Sequence, residues 1–316
     1  MELQWPLVLF TTFVAWSSGT VAVLCAYTLA KKDCDNRTRF MGLLVGLVLM
    51  AIGGIAVFFH LEHWERIFNG FGHLTSGITQ ELICIVLVVL FCFVYFVLMR
   101  RADEDSKNIV PPAVSVIGVI LGVVTTCITG HSYMLASRPA WDTAFQILSL
   151  VGGGAAMGTA TVAIIVTACA NNPKLAFLDR FVGEGVSYAA PEGKSKFYAV
   201  FNISGQSLNL VLVITYLIAM IVNSGEFTSI AYWFDPTSPT REIVDATTIS
   251  PFEGTTLYVT IAAIACAALG IVAAIVGAKR GKWRLWGGIA VALAFASAIC
   301  LRVVFYFMSE SVYPFF

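Results

Sequence analysis

Eight runs of apolar residues, separated by shorter polar stretches, set the pattern of this chain. They fall at about 7–30, 40–60, 80–99, 109–136, 143–170, 197–223, 255–278 and 285–308. At ~1.5 Å of rise per residue, each is long enough as a helix to cross ~30 Å of hydrocarbon. A backbone that meets no water must satisfy its own polar groups, so runs of this length are helices. The pattern therefore predicts an all-α integral membrane protein with eight transmembrane helices in one domain, 1–316. By count it divides into two four-helix halves of the same orientation, with no residue-level repeat between them.

The basic residues give that bundle a direction. Loops one, three, five and seven carry fifteen Lys and Arg, among them Lys31, Lys32, Arg37, Arg39, Arg100, Arg101, Lys279 and Arg280. The other loops carry three, Arg66, Arg138 and Arg241. Short loops rich in Lys and Arg stay on the cytoplasmic side, so the N- and C-termini are expected to be extracytoplasmic. The one basic residue left over, Arg302, lies inside the last span. Composition agrees: 58% of the residues are hydrophobic and 12% charged, against about 25% charged in soluble domains. The balanced formal charge argues against a nucleic-acid partner. No basic segment precedes the first apolar run, so that run is expected to stay as a helix.

Seven of the eight cysteines lie in apolar helical sequence, and only Cys34 sits in a loop. With no CxxC or CxxCH, spacing supports neither an iron-sulfur cluster nor a covalent haem, and the cysteines read as small apolar fillers. No metal site is expected. The two longest connections are 171–196 on the inner side and 224–254 on the outer. The outer one carries Glu226, Asp235, Glu242, Asp245 and Glu253 around Tyr232, Trp233 and Phe234. It reads either as a solvated acidic loop or as a docking surface for an extracytoplasmic partner.

Candidate chemistry gathers at the outer face. His60 ends the second span, His63 and Arg66 follow in the loop, and His131 lies near the outer end of the fourth span. Glu81 opens the third span, and Arg302 sits about six residues short of the same face. Taken singly, an interfacial His is a headgroup-level hydrogen-bonding residue, and a Glu at a helix start suits the helix dipole. Ionisable groups converging at one membrane depth point instead to a functional site. A His beside a carboxylate suits removal of protons from a hydroxyl as it is oxidised. A lipid-soluble hydroquinone presents that need, and an apolar slot between the second, third and last helices, ended by His60 and drained by Glu81, would meet it. Electron transfer by two haems needs ligands at two depths, whereas these histidines share one; a single outer haem between His60 and His131 is the remaining haem reading.

The opening Gln4-Trp5-Pro6-Leu7 with Phe10-Thr11 resembles the start of the DmsC family, the membrane anchor subunits of dimethyl sulfoxide reductase-type molybdoenzymes. Phe59-His60-Leu61, Arg66, Phe68-Asn69 and Gln80-Glu81 are similar to that family's His-Leu loop leading to a Glu. Pro139-Ala140-Trp141, Gly152-Gly153 and Arg302-Val303-Val304-Phe305-Tyr306 resemble its later motifs, in order. Glu62-His63-Trp64-Glu65 departs from the pattern, replacing a smaller and less charged stretch. The resemblance implies an anchor in the bacterial cytoplasmic (inner) membrane that oxidises menaquinol, with His60 as quinol-site histidine and Glu81 as its acidic companion. It implies an iron-sulfur subunit and a molybdopterin catalytic subunit as partners, which carry those cofactors, and the outward placement of the site puts these partners outside the cytoplasm; the anchor binds menaquinol as substrate and holds nothing covalently. Two rivals are an NrfD-like proton-translocating anchor and a secondary transporter. The span midplanes carry few ionisable residues and no evident polar cluster, which tells against both.

Overall fold

The computed structural model describes residues 3–31, 34–60, 72–101, 110–135, 138, 140–169, 172–182, 196–231 and 250–308. Each apolar run is a helix: α1 (Trp5–Ala30), α2 (Asn36–Phe58), α3 (Gly77–Arg100), α4 (Pro112–His131), α5 (Ala144–Cys169), α7 (Lys196–Ala231), α8 (Gly254–Arg280) and α9 (Trp283–Phe307). A 3₁₀ turn, Pro173–Leu178, and the four-residue α6 (Asp179–Val182) follow α5. Eight helices are long and apolar enough to cross a membrane, and no strand occurs among the described residues. Local chemistry sets several boundaries. The Asp35 carboxylate accepts from the Arg37 backbone N–H at 3.1 Å and caps α2. Gly281, at φ +67°, closes α8 and turns the chain into α9.

The least apolar spans are the most enclosed. Across their most apolar stretch α1 and α5 are 67% and 78% buried, against 33% for α3 and α8. A helix surrounded by other helices need not present a greasy surface to lipid, and its Ser, Thr and Gly become packing and hydrogen-bonding positions. α1 packs against α2, α4 and α5, and α5 against α7 and α9. A β-carbon on Gly154 would stand 2.7 Å from the Ala15 carbonyl oxygen, and one on Gly158 2.6 Å from that of Gly19. Glycine here lets two backbones touch. Ser17 Oγ donates to the Gly46 carbonyl at 2.7 Å, and Trp16 Nε1 to Thr161 Oγ1 at 2.9 Å, tying α1 to α2 and α5. The outer helices turn Leu90, Phe93, Ile120, Val211 and Val272 outward. A surface so apolar is suited to hydrocarbon, not water.

Three helix ends differ from the apolar pattern. α2 stops at Phe58, and His60 lies in the turn beyond it, its N–H donating to the Val57 carbonyl at 2.9 Å. α7 runs on to Ala231, past the apolar run, because a helix carries no requirement to end where the hydrocarbon does. α4 ends at His131; Ser132, Tyr133 and Met134 fold into tight turns whose N–H groups return to Ile128, Gly130 and His131. The apolar residues that lengthen the fourth run, Tyr133 and Leu135, therefore form part of a cavity wall.

Candidate functional site

A cavity of about 510 Å³ lies where α2 ends and α3 begins. α1 contributes Leu7 and Phe10, with Gln4 just before it; α2 gives Gly54, Val57 and Phe58, with His60 beyond; α3 gives Ile78, Glu81, Leu82 and Ile85. Ser132, Tyr133, Leu135, Arg138 and Trp141, from the α4–α5 connection, close the remaining side. The walls are mostly hydrocarbon with a few polar groups, the composition of a site for a small, largely apolar ring compound.

Glu81 is the buried charge-bearing group of this cavity, 4% exposed in the first turns of α3. Its depth depends on Gly77, where a β-carbon would approach the Ser132 α-carbon to 2.8 Å; glycine brings the start of α3 against the end of α4. Ser132 Oγ donates to Glu81 Oε2 at 3.1 Å. The other oxygen, Oε1, is buried beside the Thr129 hydroxyl and makes no hydrogen bond of good geometry. Leaving such an acceptor unsatisfied is costly, and a hydroxyl of a bound ligand would supply the missing contact. His60 stands at the exposed rim of the same cavity.

The opposite wall is aromatic. Trp141, 5% exposed, stacks on Phe305 of α9 at 4.4 Å between ring centres and 14° between planes, and its Nε1 donates to the Phe305 carbonyl at 2.8 Å. The Arg138 guanidinium lies over the Trp141 ring at 4.5 Å, a cation–π contact that puts a positive charge on the cavity wall. Tyr133 meets Trp141 and Phe305 edge-on at 6.4 and 6.3 Å. Desolvation pushes its phenol well above the ordinary range, with the neighbouring Glu81 adding to the rise, so Tyr133 stays protonated as a hydrogen-bonding group.

His60 and Glu81, both picked out in the sequence, line the same cavity. Arg302 is elsewhere: 2% exposed, it stands behind the aromatic wall, donating through Nη2 to Ser149 Oγ at 3.1 Å and lying 4.9 Å over the Phe305 ring. The expected slot between the second, third and last helices is thus corrected. Trp141 stands between α9 and the cavity, and α1 with the α4–α5 connection supplies the walls assigned to the last helix. His131 ends α4 with an exposed side chain and does not line the cavity. His63 and Arg66, like Glu62 and the aromatic centre of the outer 224–254 loop, lie outside the described residues. Gln4, Ser132, Tyr133 and Arg138 were missed as site residues. Arg138 carried a signal, as one of three basic residues on the side where basic residues are scarce.

A family model described as DMSO reductase anchor subunit (DmsC) matches residues 1–182. That stretch includes α1 to α5 and every residue lining the cavity; Arg302 lies beyond it. No curated protein matches the chain. With more than half the chain matched and eight membrane-length helices, the protein belongs to the DMSO reductase anchor subunit (DmsC) family, multi-pass membrane proteins that serve catalytic and electron-transfer subunits.

Proposed function

We propose that this chain binds menaquinol in the cavity beside His60 and Glu81, oxidises it, and passes the electrons to an iron-sulfur subunit coupled to a molybdopterin reductase. The observation that carries this reading is the buried Glu81 carboxylate at the end of an apolar cavity, one of whose oxygens makes no hydrogen bond of good geometry. A quinol hydroxyl donated to Oε1 completes the carboxylate's hydrogen bonding and points the proton to be lost at a base. Ser132 holds the other oxygen in place. His60, at the rim, hydrogen-bonds the second ring oxygen, and Trp141 with Arg138 offers a flat, positively charged wall to the ring. Oxidation releases two protons and two electrons per quinol: Glu81 takes up the protons one after the other and hands each on toward the outer side, and the electrons leave for the partner. The excess of Lys and Arg in alternate loops supports an inner-membrane arrangement with this cavity, and therefore the partners, on the extracytoplasmic side.

The test is quinol oxidation by the assembled complex carrying His60→Ala or Glu81→Gln. Loss of quinol-dependent electron flow, with partner subunits still copurifying, is expected. Wild-type flow in both variants overturns the proposal.

A further inference from the structure

Buried polar side chains continue beyond the cavity. On α7, Tyr198, Asn202, Gln206, Asn209 and Tyr216 recur at spacings that place them on one helix face, and none is more than 2% exposed. The membrane-length part of α7 is Lys196–Val222, so the face begins in its first turn, passes Asn209 at the midpoint and ends within two turns of the far end. The polar midplane cluster that the sequence reading found wanting is therefore present, built of amides. α5 stands against this face at Gly152 and Gly153, and α8 at Gly270.

These groups are only half satisfied. Asn202 Nδ2 donates to the Tyr198 carbonyl of its own helix, and Gln206 Nε2 to the Ala156 carbonyl of α5, each at 3.1 Å. Asn202 Oδ1, Gln206 Oε1, Asn209 Nδ2 and Tyr216 Oη are buried with no partner, at successive depths. A buried polar atom without a partner carries a desolvation cost. Here one end of each is left over, the condition under which buried water, with its two to four hydrogen bonds, is held. Both ends of the row lead somewhere. At one, the Tyr198 phenol shares a 2.9 Å hydrogen bond with Tyr27, one helical turn from Lys31. At the other, Tyr216 and Tyr133 both lie within electrostatic reach of Arg302, and Tyr133 lines the cavity.

We propose that this face of α7 holds a file of buried water, and that the file carries protons between the cavity and the Lys196 end of the membrane. Asn, Gln and Tyr hold water without competing for its proton, so transfer runs by hops between waters. A proton entering at one end is matched by one leaving at the other. The fixed charge of Arg302 at the cavity end opposes an unaccompanied proton and so restrains passive leak. The inference rests on the quinol-oxidising reading for its driving reaction and adds a route that the reading does not need.

The test uses the whole complex in lipid vesicles, with a pH-sensitive dye trapped on the side of the Lys196 end. Quinol-driven turnover is expected to change the dye signal in wild type. Asn209→Leu is expected to abolish that change while quinol oxidation continues at the wild-type rate. Gln206→Met, which keeps the side-chain length, serves if Asn209→Leu does not assemble. Hydroxyl radicals generated by X-rays label side chains that touch ordered water, and are expected to mark Tyr198 and Tyr216 despite their burial. Unlabelled tyrosines, or a dye signal indifferent to both variants, overturn the proposal. A wild-type complex that oxidises no quinol would sink the cavity reading instead, and radical labelling would still decide the water file.

Discussion

Glu81 occupies a position that is expensive for a carboxylate: Ser132 donates to one oxygen at 3.1 Å, and the other has the Thr129 hydroxyl nearby but no hydrogen bond of good geometry. A general base contributes about 10²- to 10⁴-fold in rate, so with Glu81 in the proposed role Glu81→Gln is expected to slow quinol oxidation by that order in the assembled complex, measured by stopped flow. Ser132→Ala, which removes only the orienting contact, is expected to have a smaller effect. Cys34 behaves differently. Burial pushes its thiol up to about 12 against the opposing pull of Arg39, so little thiolate exists near neutrality. Although it lies between two helices, Cys34 is expected to resist maleimide at pH 7 in the folded protein and to react after denaturation; rapid labelling of the native state contradicts this. His60 and Glu81 were legible in the sequence because ionisable groups at membrane depth are rare. Tyr133 was not, since an aromatic residue at the end of an apolar run reads as lipid-facing until the backbone is seen to turn at Ser132.

Among the helices, the α1–α5 contact organises the rest, and its closeness depends on residues without side chains. Gly154→Leu would drive a side chain into the Ala15 carbonyl and is expected to destabilise the bundle by roughly 1–3 kcal/mol or more, read as a lower unfolding temperature in detergent. Trp141 joins the α4–α5 connection to α9. Trp141→Leu removes a stacked pair that contributes about 0.5–1.5 kcal/mol and strands the Phe305 carbonyl. It is expected to lower thermal stability and weaken quinol binding together; a stable variant with unaltered binding would separate the wall from the site. The helices themselves were plain from apolar run length, because bilayer thickness dictates it. Their neighbours were not. Nothing in the Arg302 run says that Phe305 packs on Trp141, and nothing in the α7 run shows that Asn202, Gln206 and Asn209 are buried.

For the whole molecule, the family match, the eight membrane-length helices and the cavity position describe a membrane anchor with a mostly apolar cavity near one end of the bundle. The first five helices hold the family match and the cavity, whereas Arg302 and the polar face of α7 come from the remaining helices. Quinol binding in the proposed function falls to the 510 Å³ cavity. Gly54 offers a direct way to test it, since it lines the cavity and a β-carbon there meets nothing within 4 Å. Gly54→Trp therefore fills the space without pressing on the backbone and leaves His60 and Glu81 unsubstituted. The decisive measurement is a titration of a fluorescent naphthoquinol-site inhibitor against the assembled complex with and without Gly54→Trp. Saturable binding in wild type and its loss in the variant, with partner subunits retained, is the expected result; equal binding in both contradicts the account.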